Sequence, residues 1–220
     1  IKDQKFAGLI ITGAPVEELP FEEVLYWDEL KEILDWARTN VFRSLNICWG
    51  GQAALYHYYG IPKYLLESKL SGVFRHTVHR RSADLLRGFN DVVTVPVSRW
   101  TEVRERDVTR HNSLEILMSS DEAGVCLIQD APMGAVYMFN HLEYDRHTLS
   151  DEFSRDRKAR PGAAKVPEHY FPDDDPAKTP NNTWRAHGHL LFGNWINEMY
   201  QSIPYDVNHI NEDKSPRPRG

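Results

Sequence analysis

Two cysteines in 220 residues, Cys48 and Cys126, leave no disulfide framework and no zinc-type spacing. A reducing cytoplasm is the compartment such a chain implies. Long hydrophobic runs are lacking as well: no apolar stretch approaches the roughly 20 residues that a membrane span needs. The opening Ile1-Lys2-Asp3-Gln4-Lys5 does not read as a signal peptide. Excess positive charge is also missing. A net charge of −6 argues against a general nucleic-acid binder and against an anionic membrane surface as partner. Nor are there internal repeats. His187 and His189 are the remaining hint of a metal, but two residues apart on a helix do not share a face. No His-Glu-x-x-His spacing supports them, so no metal is expected.

A hydrophobic content of 41% and a charged content of 26% describe an ordinary globular protein, long enough for one substantial α/β domain over residues 1–220. Phe6 to Thr12 is a continuous apolar run broken by Gly13-Ala14-Pro15, as expected of a buried parallel strand. Phe21 to Thr39 carries Val24, Trp27, Leu30, Ile33, Leu34 and Trp36 at helical spacing. Val41 to Ile47 is the next strand, and a helix follows Cys48. This β-α-β-α order implies a parallel sheet with helices on both faces. Closely spaced strands at 71–78, 92–97, 114–118, 125–129 and 135–139 suggest an antiparallel extension of it. Helices are expected over 144–157 and 182–200, the second with Trp184, Leu191, Trp195 and Met199 as its apolar stripe. Five prolines between 161 and 181 mark a long braced loop. The last residues, 205–220 and above all the polar, Pro-rich run from Glu212, are expected to form a flexible tail.

Chemistry concentrates at two places. Cys48 stands between the β-prone Ser44-Leu45-Asn46-Ile47 and Trp49-Gly50-Gly51-Gln52, which opens a helix. A tight strand-to-helix turn pushes a nucleophilic side chain out of the backbone, and the helix N-terminus favours a thiolate. The same residue also reads as a small buried hydrophobe. At His141-Leu142-Glu143, just past the strand 135–139, residues two apart on extended chain point the same way. Glu143 would then orient His141, completing nucleophile, base and orienter. Taken alone, this is equally a surface histidine beside a surface acid. The C-terminal end of a strand is nevertheless where α/β sheets carry their ligands.

Gly8-Leu9-Ile10-Ile11-Thr12-Gly13-Ala14-Pro15-Val16-Glu17-Glu18-Leu19-Pro20-Phe21 strongly resembles the homoserine O-acyltransferases of methionine biosynthesis. So do Asn46-Ile47-Cys48-Trp49-Gly50, Tyr59-Gly60-Ile61-Pro62-Lys63, His141-Leu142-Glu143-Tyr144-Asp145 and Asn182-Thr183-Trp184-Arg185-Ala186-His187-Gly188. The resemblance covers almost the whole chain. It implies a flavodoxin-like, class I glutamine-amidotransferase-like fold, a mixed sheet flanked by helices. It further implies homoserine O-acetyltransferase activity, in which an acyl group passes from coenzyme A to the homoserine hydroxyl through an acyl-cysteine. Cys48 would be acylated, His141 would act as base and Glu143 would be its partner, with the Trp49 N–H as oxyanion donor and the Gly13-Ala14 turn as a second. Lys69, Ser98 and Arg155 fall at substrate-binding positions. On their own they would read as surface charges and a strand-end hydroxyl, whereas a cation such as Arg155 suits an amino acid's carboxylate. Glu17 falls where the family selects its donor. A glutamate there resembles acetyl-CoA users, because a carboxylate repels a succinyl tail.

The resemblance implies no bound cofactor, only acetyl-CoA or succinyl-CoA as co-substrate, with L-homoserine as acceptor. Tyr56, Tyr58 and Tyr59 leave room for a homodimer. The sequence also departs from the family. Its opening strand and helix have no counterpart here. Where it places Thr-Gly before the histidine and proline after, this chain has Phe139-Asn140 and Leu142. Succinyl transfer, a serine acceptor, a Cys-dependent hydrolase or amidotransferase, and an impaired relative are the alternatives.

Overall fold

The computed structural model describes residues 3–159 and 164–210. Seven strands form one sheet in the order β1-β2-β7-β6-β5-β3-β4. They are β1 (Phe6–Ile11), β2 (Val41–Ile47), β3 (Tyr64–Val78), β4 (Val92–Glu102), β5 (Leu114–Ser120), β6 (Gly124–Asp130) and β7 (Ala135–Met138). The helices are α1 (Trp27–Asn40), α2 (Trp49–Tyr59), the one-turn α3 (Glu105–Val108), α4 (Thr148–Ala159) and α5 (Arg185–Ser202). β1, β2 and β7 run parallel, while β6, β5, β3 and β4 extend the sheet antiparallel. The mixed sheet anticipated from element order is therefore present.

Alternation along β7 divides the core. Val136 and Met138 pack with Leu45 and Ile47 of β2 and with Trp184, Leu191 and Trp195 on the α5 side. Ala135, Tyr137 and Phe139 face the other way, toward Ala54 and Leu55 of α2 and Leu34 of α1. The expected apolar stripe of α5 is thus buried, with Met199 packed at its margin.

Three expectations need correction. β1 is parallel but is not buried: among the described residues it pairs only with β2, and Phe6 and Ile10 are exposed. A continuous apolar run does not distinguish a central strand from an edge strand flanked by helices. The single helix expected over 21–39 is broken into a 3-10 turn (Phe21–Glu23) and α1, with Val24 extended and Leu25 fully exposed between them. The break lets Phe21 and Val24 both bury against Trp49 and Ala53. Helix α4 starts at Thr148 rather than 144, because residues 141–144 are taken up by a turn that the site requires.

The proline-braced loop, apart from residues that lie outside the description, is pinned to β3 through Val73 N–H to the Glu168 carbonyl at 2.9 Å, and it buries Tyr170 and Phe171. Of the expected tail, 207–209 form a 3-10 turn ending on buried Ile210, and the run from Glu212 lies outside the described residues. Tyr56, Tyr58 and Tyr59 are half-buried, with hydroxyls given to Glu22, the Leu34 carbonyl and Asp130.

Candidate active site

Because β2 and β7 are parallel neighbours, their C-terminal ends open on the same sheet edge. Ile47 is opposite Met138, and the Cys48 N–H continues the ladder to the Met138 carbonyl at 2.7 Å. Cys48 therefore leaves β2 where His141 is about to leave β7. At Cys48 the backbone turns sharply, with φ 54° and ψ −126°, before α2 begins. Such a conformation costs a non-glycine residue on the order of 1–3 kcal/mol and recurs at functional sites. The neighbouring glycines make the turn possible. A Cβ on Gly50 would lie 2.7 Å from the Thr12 carbonyl, and one on Gly13 would lie 3.0 Å from the Cys48 Cβ. The Gly51 and Gln52 N–H groups both donate to the Cys48 carbonyl, at 3.0 and 3.2 Å. Those of Trp49 and Gly50 are the ones a helix start leaves for another acceptor.

His141 is buried, its backbone N–H given to the Pro96 carbonyl at 2.8 Å and its ring stacked on Tyr144 at 4.2 Å. Nδ1 meets Glu143 Oε1 at 2.7 Å. The other ring nitrogen, Nε2, is buried with no hydrogen-bond partner among the described residues, and Cys48 is near enough to favour the charged ring. Burial opposes the charged imidazole, but Cys48 and Glu143 outweigh it and raise His141 to about 10. The His-x-Glu pair and the cysteine thus stand at the adjoining ends of β2 and β7.

Asn140 and Leu142, two of the departures from the family pattern, point away from the cleft. His76 Nδ1 donates to the Phe74 carbonyl at 2.9 Å, so its Nε2 accepts from Asn140 Nδ2 at 2.8 Å. Burial lowers His76 to about 4, which keeps it neutral for this role. Asn140 also interacts with the thiol of Cys126, a residue that burial pushes up to about 12. Leu142 is buried, with its carbonyl seated against Gly188 of α5, and the Tyr144 carbonyl accepts from Trp184 Nε1 at 2.7 Å. Replacing Asn140 with Ala would strand the acceptor nitrogen of His76. We expect a loss of about 1–3 kcal/mol in urea unfolding, and at least as large a loss for Asn140→Asp, whose buried carboxylate has no proton to donate to that nitrogen.

Cys48, His141 and Glu143 open on a cleft of about 910 Å³ that Lys69, Ser98, Arg155 and Glu17 also line. Ser98 Oγ donates to Glu152 Oε2, and Tyr144 donates to Glu152 Oε1 at 2.7 Å. Lys69 lies 3.5 Å from Glu152 and 2.6 Å from Asp156. Arg155 is at the mouth, largely exposed, 3.4 Å from Asp156. Although partial burial works the other way, Lys69 and Arg155 hold Asp156 below the usual carboxylate range. Glu17 Oε2 accepts the Trp100 N–H at 2.8 Å. Its pKa is raised because burial outweighs that hydrogen bond and the charges of His141, Lys69 and Arg99.

Glu152, Asp156, Tyr144 and Trp100 were missed. Glu152 and Asp156 are four apart on α4 and share a face, a signal available in the sequence. That the face meets Lys69 is not.

Among the described residues, no group of three or more His, Cys, Asp or Glu side chains could hold a metal ion, and no helix is long and apolar enough to cross a membrane.

A mixed α/β sheet with a cysteine on a strained strand-to-helix turn, beside a histidine–glutamate pair just past the next parallel strand, is an arrangement of the class I glutamine-amidotransferase-like fold. Solved structures agree on the fold. A glutamine amidotransferase from Thermotoga maritima matches with a TM-score of 0.61 at 12% identity, over 88% of this chain and 78% of that one. Another, from Methylobacillus flagellatus, matches with 0.56 at 13%, over 87% and 76%. The chain itself belongs to the family described as homoserine O-succinyltransferase, whose model matches residues 1–205. Curated relatives carry the acetyl name. A homoserine O-acetyltransferase of Rhizobium johnstonii is 55% identical over 213 residues, 97% of this chain and 69% of that protein. Its namesake in Brucella canis is 54% identical over 210 residues, 96% of this chain and 68% of the relative.

Proposed function

We propose that this chain is a homoserine O-acyltransferase that moves an acetyl group from acetyl-CoA to the hydroxyl of L-homoserine through an acyl-cysteine on Cys48. The observation that carries this reading is the convergence of Cys48 and the His141–Glu143 pair at two adjoining strand ends, above a cleft that offers both signs of charge.

The reaction runs in two halves. The Cys48 thiolate attacks the thioester carbonyl, and the oxyanion is held by the Trp49 N–H, with the Gly13-Ala14 turn as the second donor. The carbon–sulfur bond to coenzyme A breaks, and His141 Nε2 gives its proton to the leaving thiolate. Neutral His141 then takes the proton of the homoserine hydroxyl as that oxygen attacks the acyl-cysteine, and Cys48 leaves again as thiolate beside the imidazolium. Glu143 stabilises the imidazolium in both charged states. A high histidine pKa suits this cycle, because each half ends or begins with His141 protonated. The two halves share one enzyme form, so ping-pong kinetics follow.

The acceptor is a zwitterion, and the cleft has a place for each end. Lys69 and Arg155 offer cations to its carboxylate, while Glu152, fixed by Ser98, Tyr144 and Lys69, offers a carboxylate to its ammonium. Serine would bind in the same sense, one methylene short.

Glu17 supports the acetyl reading. Held by Trp100, it places a buried carboxylate in the same cleft as Cys48, where a succinyl tail would bring a second negative charge. Glu17→Gly should shift the ratio of kcat/KM for succinyl-CoA over acetyl-CoA upward by about tenfold or more. Steady-state assays with homoserine and each donor measure it, and an unchanged ratio refutes the assignment. Coenzyme A release without acyl-homoserine would instead favour a hydrolase.

A further inference from the structure

Lys63 closes the short connection between α2 and β3. Gly60 ends the helix in the left-handed region at φ 66°, Ile61 is buried, and Pro62 leads into the strand. The lysine that emerges does not reach into solvent. Its Nζ donates to the Glu17 carbonyl and to the Leu19 carbonyl at 2.5 Å, and it lies 4.8 Å from the centroid of the Phe21 ring. That ring is stacked on Tyr56 at 4.6 Å and lies 5.9 Å from Trp49, the neighbour of Cys48. A lysine serving solubility would extend its ammonium into water. This one is half-buried and spends its donors on backbone carbonyls of a single loop.

Glu17 is consequently held twice. Trp100 takes its side chain and Lys63 takes its backbone. Both anchors belong to one ladder, since Tyr64, next to Lys63, pairs with Glu102, and Leu65 pairs with Thr101, the residue after Trp100. The loop is thereby fixed against the β3–β4 hairpin, while at its other end Gly13 lies against Cys48.

We propose that Lys63 is a positioning residue for acyl-donor choice, holding the Glu17 backbone so that the carboxylate stays at the acyl end of the cleft. The inference rests on the reading of Glu17 as the donor-discriminating residue. Freed from Lys63, the loop lets Glu17 withdraw, and the larger, charged succinyl group loses its main obstacle.

The experiment compares kcat/KM for acetyl-CoA and succinyl-CoA, with homoserine saturating, in the parent protein and in Lys63→Met, Lys63→Arg, Glu17→Gly and the double variant. Lys63→Met should move the ratio toward succinyl by about five- to tenfold, the range expected of coupled neighbours. Lys63→Arg, which keeps a cation and its donors, should restore most of the parent ratio. In the Glu17→Gly background, Lys63→Met should add no further shift. Equal losses with both donors, or the same shift whether or not Glu17 is present, would reduce Lys63 to a structural residue and overturn the proposal. An unchanged ratio in Glu17→Gly would overturn the donor reading itself, and the inference with it. Thermal melts check folding, and Lys63→Gln takes the place of Lys63→Met if the latter does not fold.

Discussion

Cys48→Ala should abolish acyl transfer, with a loss of at least about 10⁴-fold in turnover, while the protein still folds and binds its donor. Incubated with acetyl-CoA and no acceptor, the parent protein should gain the mass of one acetyl group, and Cys48→Ala should gain none. Peptide mapping should place the group on Cys48. The second thiol is the internal control. Cys126 is fully buried at the centre of the sheet and pushed up to about 12 by burial, so it carries no reactive thiolate at neutral pH. Cys48, by contrast, lies in the strained turn beside the protonated His141 and lines the cleft. Adding homoserine to the acylated, desalted protein should remove the adduct and yield acyl-homoserine. That sequence of events separates a covalent route from direct transfer within a ternary complex. An unmodified, folded protein that nevertheless turns over would exclude the acyl-cysteine.

The turn at Cys48 was legible because it depends on local chemistry. A β-prone run, a cysteine and two glycines allow few other conformations, and Gly50 and Gly51 do lie where a Cβ would strike the carbonyls of Thr12 and Asn46. The His141–Glu143 pair was legible for the same reason, as two residues on one short extended stretch. Their meeting with Cys48 required only that β2 and β7 be parallel neighbours, although nothing in the sequence places β7 next to β2 rather than among the later strands. The surroundings of His141 were not legible. Asn140, which stands where the family has glycine, turns into the interior and is held by His76, a residue 64 positions earlier. Leu142, where a proline is usual, is held by Gly188. Both substitutions look damaging when only neighbours in sequence are considered. Across the sheet they replace local stiffness with long-range packing. Glu152 illustrates the opposite limit. Its helical face is readable, but its place in the cleft is fixed by Ser98, Lys69 and Tyr144, which three separate segments supply.

Glu143→Gln should lower kcat by about 10²–10⁴-fold, the usual scale for general acid–base assistance, with little change in the KM for acyl-CoA. The same variant carries a pH signature that a packing defect would not. In the folded protein the His141 pKa is raised from 6.5 to about 10: burial opposes the charge, but Cys48 and Glu143 outweigh it. A group whose folded pKa lies above its unfolded value binds protons more tightly when folded. Its stabilising contribution is therefore complete below the unfolded pKa and is lost as pH rises through the folded one. Glutamine keeps the shape and one hydrogen-bonding oxygen but removes the charge that favours the imidazolium. The stability difference between parent and Glu143→Gln, followed by urea unfolding, should therefore be largest near pH 6 and shrink as pH passes about 10. A difference that stays constant across that window would mean that Glu143 only packs beside His141. The charged pair that the proposed half-reactions invoke would then need another source.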